Sequence, residues 1–483
     1  MGDILNYIDG RLQAPADGEL RDNHEPATGK PYSRVPESTG ADVEAAVAAA
    51  GRAFPGWSTT PAAERAAHLQ RLADLVQANA ERLAAAESRD NGKPLSLARA
   101  VDIPRASANL RFYAAAATQF ASESHAMEQG AINYTLRQPL GVVACISPWN
   151  LPLYLFTWKI APALAAGNCV VGKPSEVTPM TAHLLSELCL EAGLPPGVLN
   201  VLHGSGPSVG VPLVEHPQVK AISFTGGTAT GADIAARAAP RFKKLSLELG
   251  GKNPTIVFSD CDWGAMLDGT VRAAFSNQGQ ICLCGSRILV QAPVYERFLE
   301  QLVERARSLR VGDPLEESTQ QGAVVSRQHM DKILAAVQGA RQDGGSIHCG
   351  GERVTVGGRC AEGWFVSPAV VSDLAPSCAA NQREIFGPVV TVMPFDDEQQ
   401  ALQIANGTAY GLAASIWSRD IDRCHRLAAA IHSGVVWVNT WMLRDLRTPF
   451  GGMKDSGVGR EGGHEALRFF TDPKNVCVQY GRP

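Results

Sequence analysis

The 483-residue chain has no run of roughly 18 or more apolar residues, so no membrane-spanning helix is expected. Its 11 cysteines are odd in number and never spaced C-x-x-C. That argues against a disulfide framework or a structural zinc site, and no metal is expected. An excess of basic charge is also missing: 44 Lys and Arg stand against 48 Asp and Glu, for a net charge of −4. No nucleic-acid partner is expected from such a balance. The first ten residues lack a basic stretch followed by an apolar one, so no secretory leader is expected. Short-period repeats and low-complexity linkers are absent. A reducing compartment, the cytoplasm, is the simplest setting, and it would keep thiols free.

What is present is a globular composition, with 45% apolar and 19% charged residues. Two or three domains of roughly 100–200 residues each are expected. Residues 42–54 and 62–87, rich in Ala, Leu, Glu and Arg, predict helices. Pro104 interrupts the next helical stretch, which resumes over 105–120. Residues 132–137 alternate and 141–146 (GVVACI) form a buried apolar run, so both read as strands. Helix 157–166, strand 169–171, a helix from Pro179 capped by Thr178, strand 198–202, strand 219–224 and a helix from Ala229 follow. The alternation predicts a parallel sheet with helices on both faces. A second one begins near Asn253, with strands 253–258, 288–291, 389–395 and 413–417 among helices 265–275, 294–309, 330–342, 399–405 and 423–432. The tail, 469–480, alternates again and predicts a strand paired outside both cores.

Chemistry concentrates at the joints. In FSNQGQICLCGSR, residues 275–287, Cys282 lies past a Gly-Gln break, between a helical segment and a β-branched run. A thiol there is held rigid and still meets a substrate, as a nucleophile requires. Cys284, two residues on, reads as packing, or as a trap for an oxidised Cys282. In LSLELGG, Glu248 ends an apolar strand beside two glycines. Burial of such a carboxylate is costly unless it is paired or used, and it raises the pKa toward that of a general base. Asn150 follows the strand 141–146 and could donate its amide to an oxyanion, although Pro-Trp-Asn alone reads better as a turn. Lys173 and Glu176 (KPSE) follow the next strand; they suit ribose hydroxyls, and Glu176 would repel a 2′-phosphate. FTGGTATG, 224–231, leads from strand to helix and would let backbone N–H groups approach a pyrophosphate; it is not G-x-G-x-x-G. HGSGPSVG, 203–210, is a similar turn. Glu384 and Phe386 (EIFGPV) could hold a ribose and cover a ring.

Taken in order, PWN, KPSE, FTGG, LELGGK, GQIC, EIFGP and PFGGMKDSG resemble the aldehyde dehydrogenase superfamily, from about residue 5 to the end of the chain. The resemblance implies an α/β fold: a Rossmann-like, parallel-sheet NAD-binding domain (1–117 and 139–250), an α/β catalytic domain (251–450) and a small β oligomerisation arm (118–138 and 465–483). It implies Cys282 as nucleophile, Asn150 with the Cys282 backbone N–H as oxyanion hole, and Glu248 as general base. It further implies NAD held by Ile146, Ser147, Trp149, Lys173, Ser175, Glu176, Gly206, Gly226, Gly227, Leu249, Glu384 and Phe386. Position 227 is Gly where the family usually has Ser, so that pyrophosphate contact falls to the backbone. A homodimer or homotetramer is implied as well.

The segments DIPR (102–105), ISPWNLPLYLFTWK (146–159), ICLCGSR (281–287) and VWVNTWMLRDLRTPFGG (436–452) resemble the subgroup acting on 2-aminomuconate and 2-hydroxymuconate 6-semialdehydes, products of aromatic-ring and kynurenine catabolism. Such a substrate carries an aldehyde and a carboxylate. Arg105 and Arg444 match the subgroup's anchors for that carboxylate, and Arg447 is a further candidate. The alternatives are a broad-specificity aldehyde dehydrogenase, a CoA-acylating one, and a non-catalytic NAD-binding protein on this fold.

Overall fold

The computed structural model describes residues 2–481. Met1, Arg482 and Pro483, which fall in the expected NAD-binding span and arm, lie outside the described residues.

Apolar runs bounded by turn residues make the strands. Val143, Ala144, Val170, Val171 and Ile222 are fully buried, as expected for strands covered by helices on both faces. Burying each larger aliphatic side chain contributes about 1.5–3 kcal/mol. The larger sheet runs Arg11–Gln13, Asn6–Ile8, Leu199–Val201, Cys169–Lys173, Val142–Ile146, Val219–Thr225, Lys244–Glu248 and Gly457–Val458. Its five central strands are parallel, and antiparallel strands close both edges. Gly457–Val458 joins this sheet from beyond residue 450, outside the span expected for it.

A second sheet runs Ser346–Cys349, Ala369–Ser372, Val389–Phe395, Arg287–Gln291, Pro254–Val257, Ala413–Trp417 and Val435–Val438. It is parallel except at Ser346–Cys349. Residues 249–253 carry the chain from the carboxyl end of Lys244–Glu248 to the amino end of Pro254–Val257. That short link sets one end of the first sheet against the opposite end of the second. A three-stranded antiparallel sheet stands apart, with Thr471–Gln479 paired along all of Ala131–Pro139, and Ser124–Met127 beyond. Among the described residues, no helix is long and apolar enough to cross a membrane.

Several local expectations need correction. The helix expected over 62–87 is two helices, Ala62–Ala78 and Ala80–Asn91. Asn79 divides them, its side-chain amide donating to the Leu75 carbonyl (2.9 Å) in competition with the helix. The helix expected from 157 starts at Pro152, because proline needs no N–H partner in a first turn. Thr178 does not cap the helix Met180–Glu191. Asp90, distant in sequence, accepts the Met180 N–H (2.8 Å), and the Thr178 hydroxyl donates to the Trp149 carbonyl (3.3 Å).

Candidate active site

The order of the first sheet reverses at Val142–Ile146. The chain lays Cys169–Lys173 and Leu199–Val201 on one side of it, then Val219–Thr225 and Lys244–Glu248 on the other. Loops leaving the carboxyl ends diverge there and open a crevice. A cavity of about 710 Å³ occupies it, lined by Ile146, Ser147, Trp149, Lys173, Ser175, Glu176, Gly206, Gly226 and Gly227. Lys173 Nζ donates to Glu176 (3.1 Å), pre-setting both at the rim. Gly226 and Gly227 lead into the helix Thr228–Ala238, whose amino end has no side-chain cap. A Cβ at Gly227 would meet nothing within 4 Å, so backbone N–H groups and the positive helix end stay open to an anion. Ser147 Oγ and Thr225 Oγ1 are buried without hydrogen-bond partners and line the same cavity. This donor set fits a dinucleotide.

A second cavity of about 230 Å³ continues from the first and shares Pro148, Trp149, Thr225, Gly226 and Gly227 with it. Asn150, Leu249, Cys282, Glu384 and Phe386 line it, together with His329 and Lys332. Glu384 accepts the Gly251 N–H (3.0 Å), and a Cβ at Gly250 would come within 2.5 Å of its carboxylate. The glycine pair is what lets this acid approach, and burial raises its pKa. Phe386 has a left-handed backbone (φ 60°). It is held by His329, whose Nε2 donates to the Phe386 carbonyl (2.7 Å), and by edge-on packing on Trp149, with centroids 5.2 Å apart. Burial lowers the His329 pKa to about 4, so the ring is neutral at physiological pH.

The turn before Cys282 is unusual backbone. Asn277, Gln278 and Gly279 are all left-handed, with φ of 52°, 55° and 69°. Each non-glycine residue so placed costs on the order of 1 kcal/mol or more. Hydrogen bonds offset this: Asn277 Nδ2 donates to the Asn150 carbonyl (3.0 Å), Gln278 Nε2 to Ala323 (2.8 Å), and Val325 N–H to Gln280 Oε1 (3.1 Å). A Cβ at Gly279 would fall 2.0 Å from the Gly387 carbonyl, so no other residue fits. Beyond the turn, Asn253 Nδ2 donates to the carbonyls of Cys282 (2.7 Å) and Cys284 (2.9 Å). Cys284 is buried, as the packing reading expects. Asn150 Nδ2 gives one hydrogen to the Gln280 carbonyl (2.9 Å), which leaves the other free. Cys282 is half-buried. Burial, then the nearby Glu384 and Glu248, push its thiol up to about 12.

On its other side Cys282 lines a narrow pocket with Glu248, Arg444, Tyr154, Trp158, Phe450, Glu461 and Thr225. Both Glu248 carboxylate oxygens are buried without hydrogen-bond partners. Burial, and next the charge of Glu461, raise its pKa well above the ordinary value. Glu461 is itself tied to Trp158 (2.6 Å), Lys159 (2.7 Å) and Ser223 (3.0 Å). The Arg444 guanidinium lies over Phe450 (4.0 Å) and Trp158 (5.3 Å) and donates to the Tyr154 hydroxyl (3.1 Å). Arg105 does not line the pocket; it stacks over the Tyr154 ring at 5.5 Å. Arg447 is exposed and locked to Asp445 (2.6 Å). The structure therefore brings one of the expected arginines, Arg444, to the sulfur. His329, Lys332, Tyr154, Trp158 and Glu461 escaped sequence reasoning, because single residues inside helices or loops carry no local pattern. Among the described residues, no cluster of His, Cys, Asp or Glu is arranged to hold a metal.

Comparison with known proteins places this geometry in a family. Residues 13–476 match the model of the aldehyde dehydrogenase family. A 2-aminomuconic semialdehyde dehydrogenase from Danio rerio is 48% identical over 99% of this chain and 98% of its own. A 2-hydroxymuconic semialdehyde dehydrogenase from Pseudomonas sp. (strain CF600) is 45% identical over 99% of this chain and 100% of its own. The NAD⁺ complex of an aldehyde dehydrogenase from Bacillus cereus superposes with a TM-score of 0.97 at 37% identity, covering 99% of this chain and 97% of that one. A sulfur between a dinucleotide crevice and an acid-bearing pocket, in a chain alike over its whole length, leaves one assignment: the protein belongs to the aldehyde dehydrogenase family.

Proposed function

We propose that this NAD-dependent aldehyde dehydrogenase acts on a muconic 6-semialdehyde bearing a 2-amino or 2-hydroxy group, with Cys282 as nucleophile, Asn150 as oxyanion donor and Glu248 as base. The observation that carries the reading is that Cys282 lines both the cavity of Glu384 and Phe386 and the pocket of Glu248 and Arg444. The Cys282 sulfur, after giving up its proton to water, bonds to the aldehyde carbon. The free hydrogen of Asn150 Nδ2 and the Cys282 N–H hold the resulting oxyanion, and one such donor contributes about 10²–10³ in rate. Bound NAD⁺ would supply the hydride acceptor for that carbon. The acyl group then stays on Cys282 as a thioester. Glu248 takes a proton from water, the hydroxide bonds to the thioester carbon, and the carbon–sulfur bond breaks to give a carboxylate and the free thiol. Lys173 and Glu176 would hold the adenosine ribose, the Gly226–Gly227 backbone the pyrophosphate, and Glu384 and Phe386 the nicotinamide riboside.

Arg444 supports the substrate class. Among the described residues it has no carboxylate partner, whereas Arg447 does. A guanidinium on aromatic faces keeps its outward hydrogens for an incoming carboxylate. Replacing Arg444 by Ala should raise KM for a muconic semialdehyde by roughly 10–100-fold, since hydrogen bonds to charged groups contribute about 1.5–3 kcal/mol. A neutral aldehyde of similar length should change little. Equal effects on the two would instead leave a broad-specificity enzyme. Two further readings rest on the same footing. The three-stranded sheet exposes Ile132, Leu136, Val478 and Tyr480, which suits an arm docking on another copy in a homodimer or homotetramer; sedimentation as a monomer would remove it. All eleven cysteines stand free, which suits a cytoplasmic setting, and fractionation tests it.

A further inference from the structure

Lys93 has a side chain wholly out of solvent. It follows the helix Ala80–Asn91, in a turn made by the left-handed Gly92 (φ 88°). Its ammonium faces two carboxylates and one carbonyl. Nζ lies 3.1 Å from Asp102 Oδ2, 3.9 Å from Glu87 Oε1 and 3.0 Å from the Asn150 backbone carbonyl. Both acids are also fully buried. A buried ion set of this kind is a poor source of stability, because desolvation cancels most of the attraction and apolar residues of like volume often do as well. Its geometry points elsewhere.

The Asn150 carbonyl collects Lys93 Nζ, Asn277 Nδ2 (3.0 Å) and, more weakly, Asn91 Nδ2 (3.5 Å). The preceding carbonyl, of Trp149, accepts from Asn91 Nδ2 (2.9 Å) and the Thr178 hydroxyl (3.3 Å). The backbone that carries the oxyanion donor is thus gripped on its carbonyl side, while its side-chain amide is tied to Gln280. Gln280 lies two residues before Cys282 and shares its carbonyl with Asn277 (3.2 Å). An oxyanion donor works only when its N–H is aimed before the charge appears, and misplacement by about 1 Å can cost 10²-fold.

We propose that Lys93, held by Asp102 and Glu87, is a positioning residue that fixes the Asn150 backbone and so aims its amide at the oxygen of the Cys282-bound substrate. The proposal rests on the reading of Asn150 as an oxyanion donor. Lys93 touches neither substrate nor cofactor; it acts through Asn150. The ammonium is required as a donor, and its acids hold it in place.

A double-mutant cycle tests this on the full-length enzyme. Lys93→Met keeps the stem volume and removes the donor. It should lower kcat by roughly 10–100-fold, a part of the 10²–10³ lost with a whole oxyanion donor, with KM for aldehyde and Kd for NAD changed by less than about twofold. Introduced into Asn150→Ala, the same change should cost less than about threefold in kcat, because the group it aims is gone. Losses that multiply in the double variant would overturn the proposal and leave Lys93 a structural residue. Full activity in Asn150→Ala alone would overturn both the proposal and the oxyanion reading, so the two failures are distinguishable. Should Lys93→Met not fold, Asp102→Asn, which removes the nearer of the two acids that hold the ammonium, enters the same cycle with the same criteria.

Discussion

At the eight-stranded sheet the chain meets ligand space at carboxyl ends: Ile146, Lys173 and Thr225 each close a parallel strand and border the crevice. At the seven-stranded sheet the contact is reversed, for Cys282 lies before the amino end of Arg287–Gln291. Both sheets have a parallel core, and the dinucleotide crevice opens where the strand order of the first one reverses. The second meets the site from its amino end. It presents the sulfur on a strained turn, with three left-handed residues in a row, pinned by bonds to Asn150, Ala323 and Val325. Cofactor binding thus follows from topology, whereas placing the nucleophile needs a purpose-built loop.

That contrast can be broken experimentally. Cys282→Ala should reduce aldehyde oxidation by on the order of 10³–10⁶ while NAD binding, followed by nucleotide fluorescence, stays unchanged; loss of both together would mean the two sheets do not divide the work. Glu248→Gln should cut steady-state turnover by roughly 10²–10⁴ yet keep a rapid NADH burst near one per site, because only thioester hydrolysis needs the base; absence of the burst would place Glu248 in the first step instead. Since the Glu248 pKa is raised, the carboxylate grows with pH, and wild-type turnover should rise on the alkaline side of neutral. Labelling of Cys282 by iodoacetamide in the free enzyme, read by mass spectrometry, should climb about tenfold per pH unit through pH 7–9. A thiol pushed up to about 12 gives no plateau there, and a plateau below pH 8 would show a thiolate already formed. Glu176→Gln, confined to the first sheet, should weaken NAD by about tenfold and narrow its preference over NADP, with the labelling profile of Cys282 unmoved; a shift in that profile would couple the two regions.

How legible each region was in the sequence follows the same division. Strands 142–146, 169–173 and 219–225 were readable because both-face burial writes unbroken apolar runs. The edge strands were not: Arg11–Gln13 is largely exposed and only three residues long, so no alternation is written into it. Asn150, Glu248 and Cys282 stood out through the resemblance of their motifs, and the structure brings them together around two joined cavities. Lys93, Glu461 and His329 were invisible for a physical reason. Their partners lie tens to hundreds of residues away, as with Glu461 and Lys159, and a charge in an otherwise polar stretch reads as solvated surface. Thr178 failed as a cap for the same reason, since Asp90 reaches the helix end across the fold. Arg105 and Arg444 read alike in sequence, and only the fold separates them: both meet Tyr154, but Arg444 lines the pocket of Cys282.

The left-handed turn at Asn277–Gly279 also bears on synthesis. Gln278 leans on Ala323, Gln280 on Val325, and Gly279 fits beneath the Gly387 carbonyl. Every one of those supports is translated after the cysteine itself. A bend whose braces at Ala323, Val325 and Gly387 all follow Cys282 in the chain can be completed only after those segments have been made.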